Sequence, residues 1–224
     1  MKTQTLSISR RALMTASALV AAAAIGAAAL AGNARAQEPT GEPPIPGDAA
    51  PGFTATTATG DTVSLSDFEG QTVVLEWTNH DCPFVVRHYD SGYIPGLQAD
   101  AAENDVVWLQ VISSIPGTQG HVSGERAIEL NDERGSAPAH VLIDETSDVG
   151  RAYHAATTPH MYVIDGEGVL RYAGGIDDQP RPREGDPAPV EHFADALAQV
   201  QAGEDVSVPE TQPYGCSVKY TEHS

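Results

Sequence analysis

Cys82 and Cys216 are the two cysteines of a 224-residue chain, and Cys82 sits in "EWTNHDCPFVVRHY", Glu76–Tyr89. An apolar run, Thr72–Trp77, breaks into polar residues, and the cysteine is followed at once by Pro83. Proline is favoured at the first helical position and forces the residue before it into an extended conformation. Both preferences put Cys82 at a helix N-cap. There the sulfur meets free backbone N–H groups and the positive end of the helix dipole, which stabilise a thiolate. Thiols so placed fall from about 8.5 into a range of about 3.5–7.5. The chemistry to expect is that of a nucleophilic, low-pKa, solvent-reachable thiol. The carboxylate of Asp81 opposes it, and Arg87, one turn into the helix, offers a positive field.

A turn of this kind needs a strand before it and a helix after it, and the flanking pattern supplies both. "FTATTATGDTVSL" (Phe53–Leu65) alternates about a turn and predicts a β-hairpin. "QTVVLEW" predicts a buried strand, with a helix from Pro83 to about Ala102, and "DVVWLQVI" (Asp105–Ile112) a second strand. Ser123 N-caps a helix that stops at Gly135, "AHVLID" is strand-like, and Ser147 starts a short helix. "HMYVID" and "VLRYAGG" form a hairpin about "GEG", and Val190, Phe193, Leu197 and Val200 share one face of a last helix ended by Gly203. Continuous apolar strands alternating with helices predict an α/β fold, a central mixed sheet with helices on both faces.

The ends carry different signals. Lys2, Arg10 and Arg11 precede the apolar run Ala16–Ala31 and a small-x-small site at Ala34–Ala36. Residues 1–36 thus read as a secretory signal, and the Arg10–Arg11 pair favours the twin-arginine route. Residues 37–50, rich in Pro, Gly, Glu and Ala, read as a disordered linker. Residues 51–203 form the domain, and 204–224 a tail with Cys216. The whole chain has 12 basic and 31 acidic residues; four of the basic ones lie in the signal, so eight face 31 afterwards, a net of −23. That surface repels nucleic acid and anionic lipid, and no later segment is apolar enough to span a bilayer. The expectation is a periplasmic protein, not membrane-embedded once processed, in a compartment where Cys82 and Cys216 can pair.

Cys-Pro after a strand ending in Trp77, followed later by "TTPHMYVIDGEGVLRYAG" (Thr157–Gly174), resembles the thioredoxin-fold redoxins, the group of peroxiredoxins and exported thioredoxin-like proteins. "PYGCSVKY" (Pro213–Tyr220) is similar to the tail of a bacterial redoxin subfamily with "CPF" at the active site. The resemblance implies a thioredoxin-like fold in which Pro159, after Thr158, is cis and packs beside Cys82. It implies a thiol oxidoreductase without a cofactor. Cys82 would reduce a small peroxide or exchange a protein or small-molecule disulfide, Cys216 would resolve the product, and an external thiol would reduce it. Trp77, Asp81, Pro83, Arg87 and Thr158 would form the surroundings. The chain departs from two known signatures: Val85 stands where a Cys-x-x-Cys has its second cysteine, and Thr78 stands one place too early for a peroxiredoxin Thr-x-x-Cys. The rival reading is a non-catalytic module binding a soft metal through His80, Cys82 and His88.

Overall fold

The computed structural model describes residues 42–220; the expected signal, residues 1–36, and residues 37–41 of the expected linker lie outside them. In chain order the elements are β1 (Thr54–Thr57), β2 (Thr62–Ser64), a 3₁₀ turn (Leu65–Phe68), β3 (Val73–Trp77), α1 (Pro83–Asp90), α2 (Tyr93–Glu103), β4 (Val107–Ile112), α3 (Gly124–Glu133), β5 (His140–Ile143), α4 (Asp148–Ala152), β6 (Thr157–Thr158), β7 (His160–Ile164), β8 (Leu170–Gly174), α5 (His192–Gln201) and β9 (Cys216–Ser217). Seven strands form one sheet in the order β2-β1-β5-β4-β3-β7-β8, and β6 and β9 form a separate pair. The centre, β3-β4-β5, is parallel, while β1, β2, β7 and β8 join antiparallel. This is a thioredoxin-like α/β fold with a mixed sheet.

Strand alternation divides the core in two. Val73, Leu75 and Trp77 point to the side covered by Val149, Tyr153 and the partly buried Phe53, Leu65 and Phe68. Val74 points to the other side, where Val85, Tyr89, Ile94, Phe193 and Leu197 of α1, α2 and α5 pack with Cys82. Glu76 faces that second side too, and burying its carboxylate demands partners. It has them: Tyr89 donates its hydroxyl to Oε1 at 2.5 Å, while Trp108 Nε1 at 2.8 Å and Gln98 Nε2 at 3.3 Å donate to Oε2. The network runs on through Gln110, whose amide donates to the Tyr89 hydroxyl at 2.6 Å and to Ser136 at 3.0 Å. Asn131 donates to Gln110 Oε1 at 2.9 Å. These bonds tie β3, β4, α1, α2 and α3 together behind the Cys82 turn.

Two expectations need correction. The helix expected over Pro83–Ala102 is two helices, because Gly92 takes a left-handed conformation (φ 75°) at the N-cap of α2. Nor are the described residues of the expected linker disordered: Gly47 N–H donates to Leu170 O, Leu170 N–H to Asp48 O, and Ala50 N–H to Gly168 O. The segment lies along the β8 edge, bridged at Ala49–Val169. Backbone pairing needs no particular side chain, so Pro- and Gly-rich composition misses it. Among the described residues no helix is long and apolar enough to cross a membrane.

Candidate active site

Cys82 is the N-cap of α1, extended at φ −81°, ψ 118°, with Pro83 at the first helical position. The turn that delivers it is self-braced: Asn79 Oδ1 accepts the Asp81 N–H at 2.9 Å, and Asn79 O accepts the Cys82 N–H at 3.0 Å. From outside, Gln119 donates to Asp81 O at 3.0 Å. Gly120 lies so close to the Asn79 amide that a Cβ there would collide with it. The sulfur is held where the helix N-terminus points.

Across from it runs β6, leading into the cis Thr158–Pro159 bond. The Cys82 thiol donates to Thr158 O at 3.0 Å. The tail closes the remaining side: β9 pairs antiparallel with β6, Cys216 opposite Thr158 and Ser217 opposite Thr157. Both cysteines are free thiols, Cys82 fully buried and Cys216 half-buried. The expected solvent-reachable thiol is therefore a covered one, roofed by the tail.

The surroundings of the Cys82 thiol shift its acidity. Burial pushes its pKa up, but hydrogen bonds from the Cys216 thiol, the Val85 N–H, the Thr158 hydroxyl and the Cys216 N–H outweigh it, and the net shift is downward. Val85 supplies the helix N-terminal donor; the tail and the Pro159 loop supply the rest. Cys216 moves the other way, pushed up to about 11 by burial and by its partner Cys82. Cys82 is thus the more acidic thiol of the two and Cys216 the less acidic. The expected pH behaviour follows. A small alkylating agent should modify Cys82 with a midpoint below that of an ordinary cysteine, and Cys216 only as the pH approaches about 11. The absolute rate at Cys82 should be slow, because the tail must open first. Peptide-resolved alkylation against pH checks this; a Cys82 midpoint at or above about 8.5 contradicts the activation argument.

The other expected residues are distributed differently. Thr158 and Pro159 lie against the thiol, and Pro83 opens its helix. Trp77 is buried on the opposite face of the sheet, its Nε1 donating to Ser113 Oγ at 3.0 Å, so it does not line the thiol. The Asp81 side chain faces solvent beside His80, at 3.3 Å. Arg87 turns from the sulfur to Asp177, Tyr214 and Gln179 O. His80 and His88 do not join Cys82: among the described residues no three His, Cys, Asp or Glu come together to hold a metal ion. His88 is occupied by Arg87 and Tyr214 instead, and burial, then Arg87, lowers its pKa to about 4. Sequence reasoning missed Asp177, Gln119 and Asn79; no motif marks them. A cavity of about 480 Å³, lined in part by Tyr153, His160, Tyr162 and Pro213, does not include Cys82.

A protein-family model described as AhpC/TSA matches residues 46–173, more than half of the chain. The chain belongs to the AhpC/TSA family. The match takes in Cys82, Thr158 and Pro159 and ends before the tail, so Cys216 and Tyr214 lie beyond the part shared with the family model. Among solved structures, the chain is similar to an uncharacterized conserved protein from Geobacillus kaustophilus, at 29% identity and a TM-score of 0.70, covering 81% of this chain and 94% of that one. It is also similar to a hypothetical protein from Sinorhizobium meliloti 1021, at 25% identity and a TM-score of 0.71, covering 81% and 98%. No curated protein matches it.

Proposed function

We propose that this AhpC/TSA-family protein is an exported thiol oxidoreductase in which Cys82 and Cys216 form one dithiol–disulfide couple. One observation carries the reading: Cys82 caps the N-terminus of α1 with its thiol on Thr158 O, and the β6–β9 pairing sets Cys216 directly opposite that same Thr158. The attacking group must be a thiolate and the resolving group must stay near it, and this arrangement supports both needs.

With a disulfide substrate, the Cys82 thiolate attacks one sulfur, and the other half leaves as a thiolate that takes up a proton. Cys216 then attacks the Cys82 sulfur and yields its proton to the departing second half. The internal disulfide forms, the substrate becomes two thiols, and the chain has lost two electrons. With a peroxide, attack breaks the O–O bond, one oxygen stays on Cys82 as a sulfenic acid and the other leaves as water or an alcohol after taking up a proton; the sulfenic acid then condenses with Cys216 and releases a second molecule, water. In either case an external dithiol returns the pair to the reduced state. Disulfide exchange is the favoured branch: Arg87 is bound to Asp177, Tyr214 and Gln179 rather than aimed at the leaving oxygen of a peroxide.

A thiol count under denaturing conditions tests the couple. Reduced protein treated with excess glutathione disulfide should lose both of its two thiols per chain and keep no glutathione. Retention of one glutathione, with Cys216 still free, would remove Cys216 from the cycle. Run beside one equivalent of hydrogen peroxide, the disulfide should react faster; a faster reaction with peroxide would reverse the choice of branch.

A further inference from the structure

The tail from residue 204 to residue 220 carries one two-residue strand and is pinned on both sides of Cys216: before it Thr211 N–H donates to Ala173 O and Gly175 N–H to Thr211 Oγ1, and after it Val218 N–H donates to Ala156 O and Ile115 N–H to Lys219 O. Between these pins a side-chain contact next to Cys216 is left to set where its thiol sits. Beside the thiols, and separate from them, lies a polar cluster centred on Tyr214. The Tyr214 hydroxyl donates to Asp177 Oδ1 at 2.6 Å and accepts from Arg87 Nη2 at 2.8 Å, with His88 Nε2 at 3.0 Å. Arg87 also donates to Asp177 Oδ2 at 3.2 Å and to Gln179 O at 2.7 Å. The side chains of Asp177 and His88 are buried. The Tyr214 ring lies 5.8 Å from Phe84, centroid to centroid. Phe84, Arg87 and His88 all belong to α1, the helix that Cys82 caps. Between the cluster and the second thiol stands Gly215, at φ +137°, with its backbone so near Thr158 O that no Cβ fits.

We propose that Tyr214 is a positioning residue: held by Arg87, His88 and Asp177 to the helix that Cys82 caps, it presents Cys216 to Cys82 as a preorganised second thiol. The inference rests on the reading of the two cysteines as a couple. A second thiol on a short flexible tether is present at an effective concentration in the millimolar range. Fixing the tail in the reduced state removes the ordering cost from the bond-forming step, which raises that value. Charge-assisted bonds from Arg87 and to Asp177, in partly buried surroundings, are strong enough to do the fixing.

The test compares wild type, Tyr214→Phe and Gly215→Ala. Tyr214→Phe keeps the ring against Phe84 and deletes the hydroxyl; Gly215→Ala displaces β9 without touching the cluster. Each reduced protein is equilibrated in graded dithiothreitol redox buffers, and the Cys82–Cys216 disulfide is quantified by mass spectrometry. In Tyr214→Phe the equilibrium constant for the internal disulfide should fall about tenfold, a shift of about 30 mV toward easier reduction. Alkylation of Cys82 in the reduced chain should rise by a comparable factor, while the global unfolding midpoint stays put. Gly215→Ala should move both readouts the same way. If wild type forms no internal disulfide, the underlying couple fails and this inference with it. If wild type forms it and Tyr214→Phe matches it in both potential and alkylation rate, the couple stands and the positioning role is overturned.

Discussion

Replacing Cys216 by serine is expected to leave the nucleophile in place and stop the cycle half-way. Serine puts a hydroxyl at the same place on β9, opposite Thr158, and leaves Cys82 at its helix N-cap, so the sulfur should still attack a substrate. What serine cannot do is displace the first product. With a disulfide substrate the variant should accumulate a mixed disulfide on Cys82; with excess peroxide it should pass from sulfenic to sulfinic acid, two oxygens heavier than the thiol. Cys82→Ser removes the attacking thiolate itself, and turnover should fall by about a thousandfold or more. Intact-mass measurement after oxidation, with turnover under a dithiol reductant, separates the two variants. A Cys216→Ser protein that turns over at the wild-type rate would mean that resolution comes from outside the chain.

The second large effect concerns stability. Glu76→Ala takes away the acceptor for the Tyr89 hydroxyl, the Trp108 indole and the Gln98 amide at once, and leaves a gap in a buried network. A buried donor without a partner costs about 1–3 kcal/mol, and breaking a buried charged network about 3–5 kcal/mol. We expect a loss of roughly 3–5 kcal/mol, seen as a urea midpoint lower by roughly 1.5–2.5 M if m is near 2 kcal/mol/M. Glu76→Gln should recover only part of it, because its amide NH₂ meets donors on one side or the other. Equal midpoints for wild type and Glu76→Ala would show that the network contributes little.

The part of the site legible in the sequence was the part set by local geometry. Pro83 after Cys82 fixes an extended N-cap and a helix start whatever surrounds them. Thr158–Pro159 was legible by resemblance, and the order of strands and helices from apolar pattern, caps and turn residues. Long-range matters were not. The resemblance put Trp77 among the surroundings of the thiol, yet strand alternation puts it with Val73 and Leu75 on the far face. Nothing in a strand pattern says which face the next helix will cover. Arg87 stands five residues from the N-cap, about 140° round the helix at 100° per residue, and its side chain meets the tail instead of the sulfur. Pro213, Tyr214, Val218 and Tyr220 give the tail apolar surface with which to dock beside the second cysteine. Its register on β6 depends on backbone pairing, on Asp177, and on the bare Gly215, none of which a composition reveals.

The central claim is that Cys82 and Cys216 exchange electrons as a pair within one chain, and disulfide mapping tests it most directly. Reduced mature protein, at a concentration low enough to suppress contacts between chains, is oxidised with one equivalent of glutathione disulfide, quenched in acid, digested without reductant and read by mass spectrometry. The account predicts one dominant linked species joining the Cys82 peptide to the Cys216 peptide, in a monomeric product, and its disappearance in Tyr214→Phe at a less reducing potential than in wild type. A product in which Cys82 carries glutathione while Cys216 is recovered as a free thiol would contradict it.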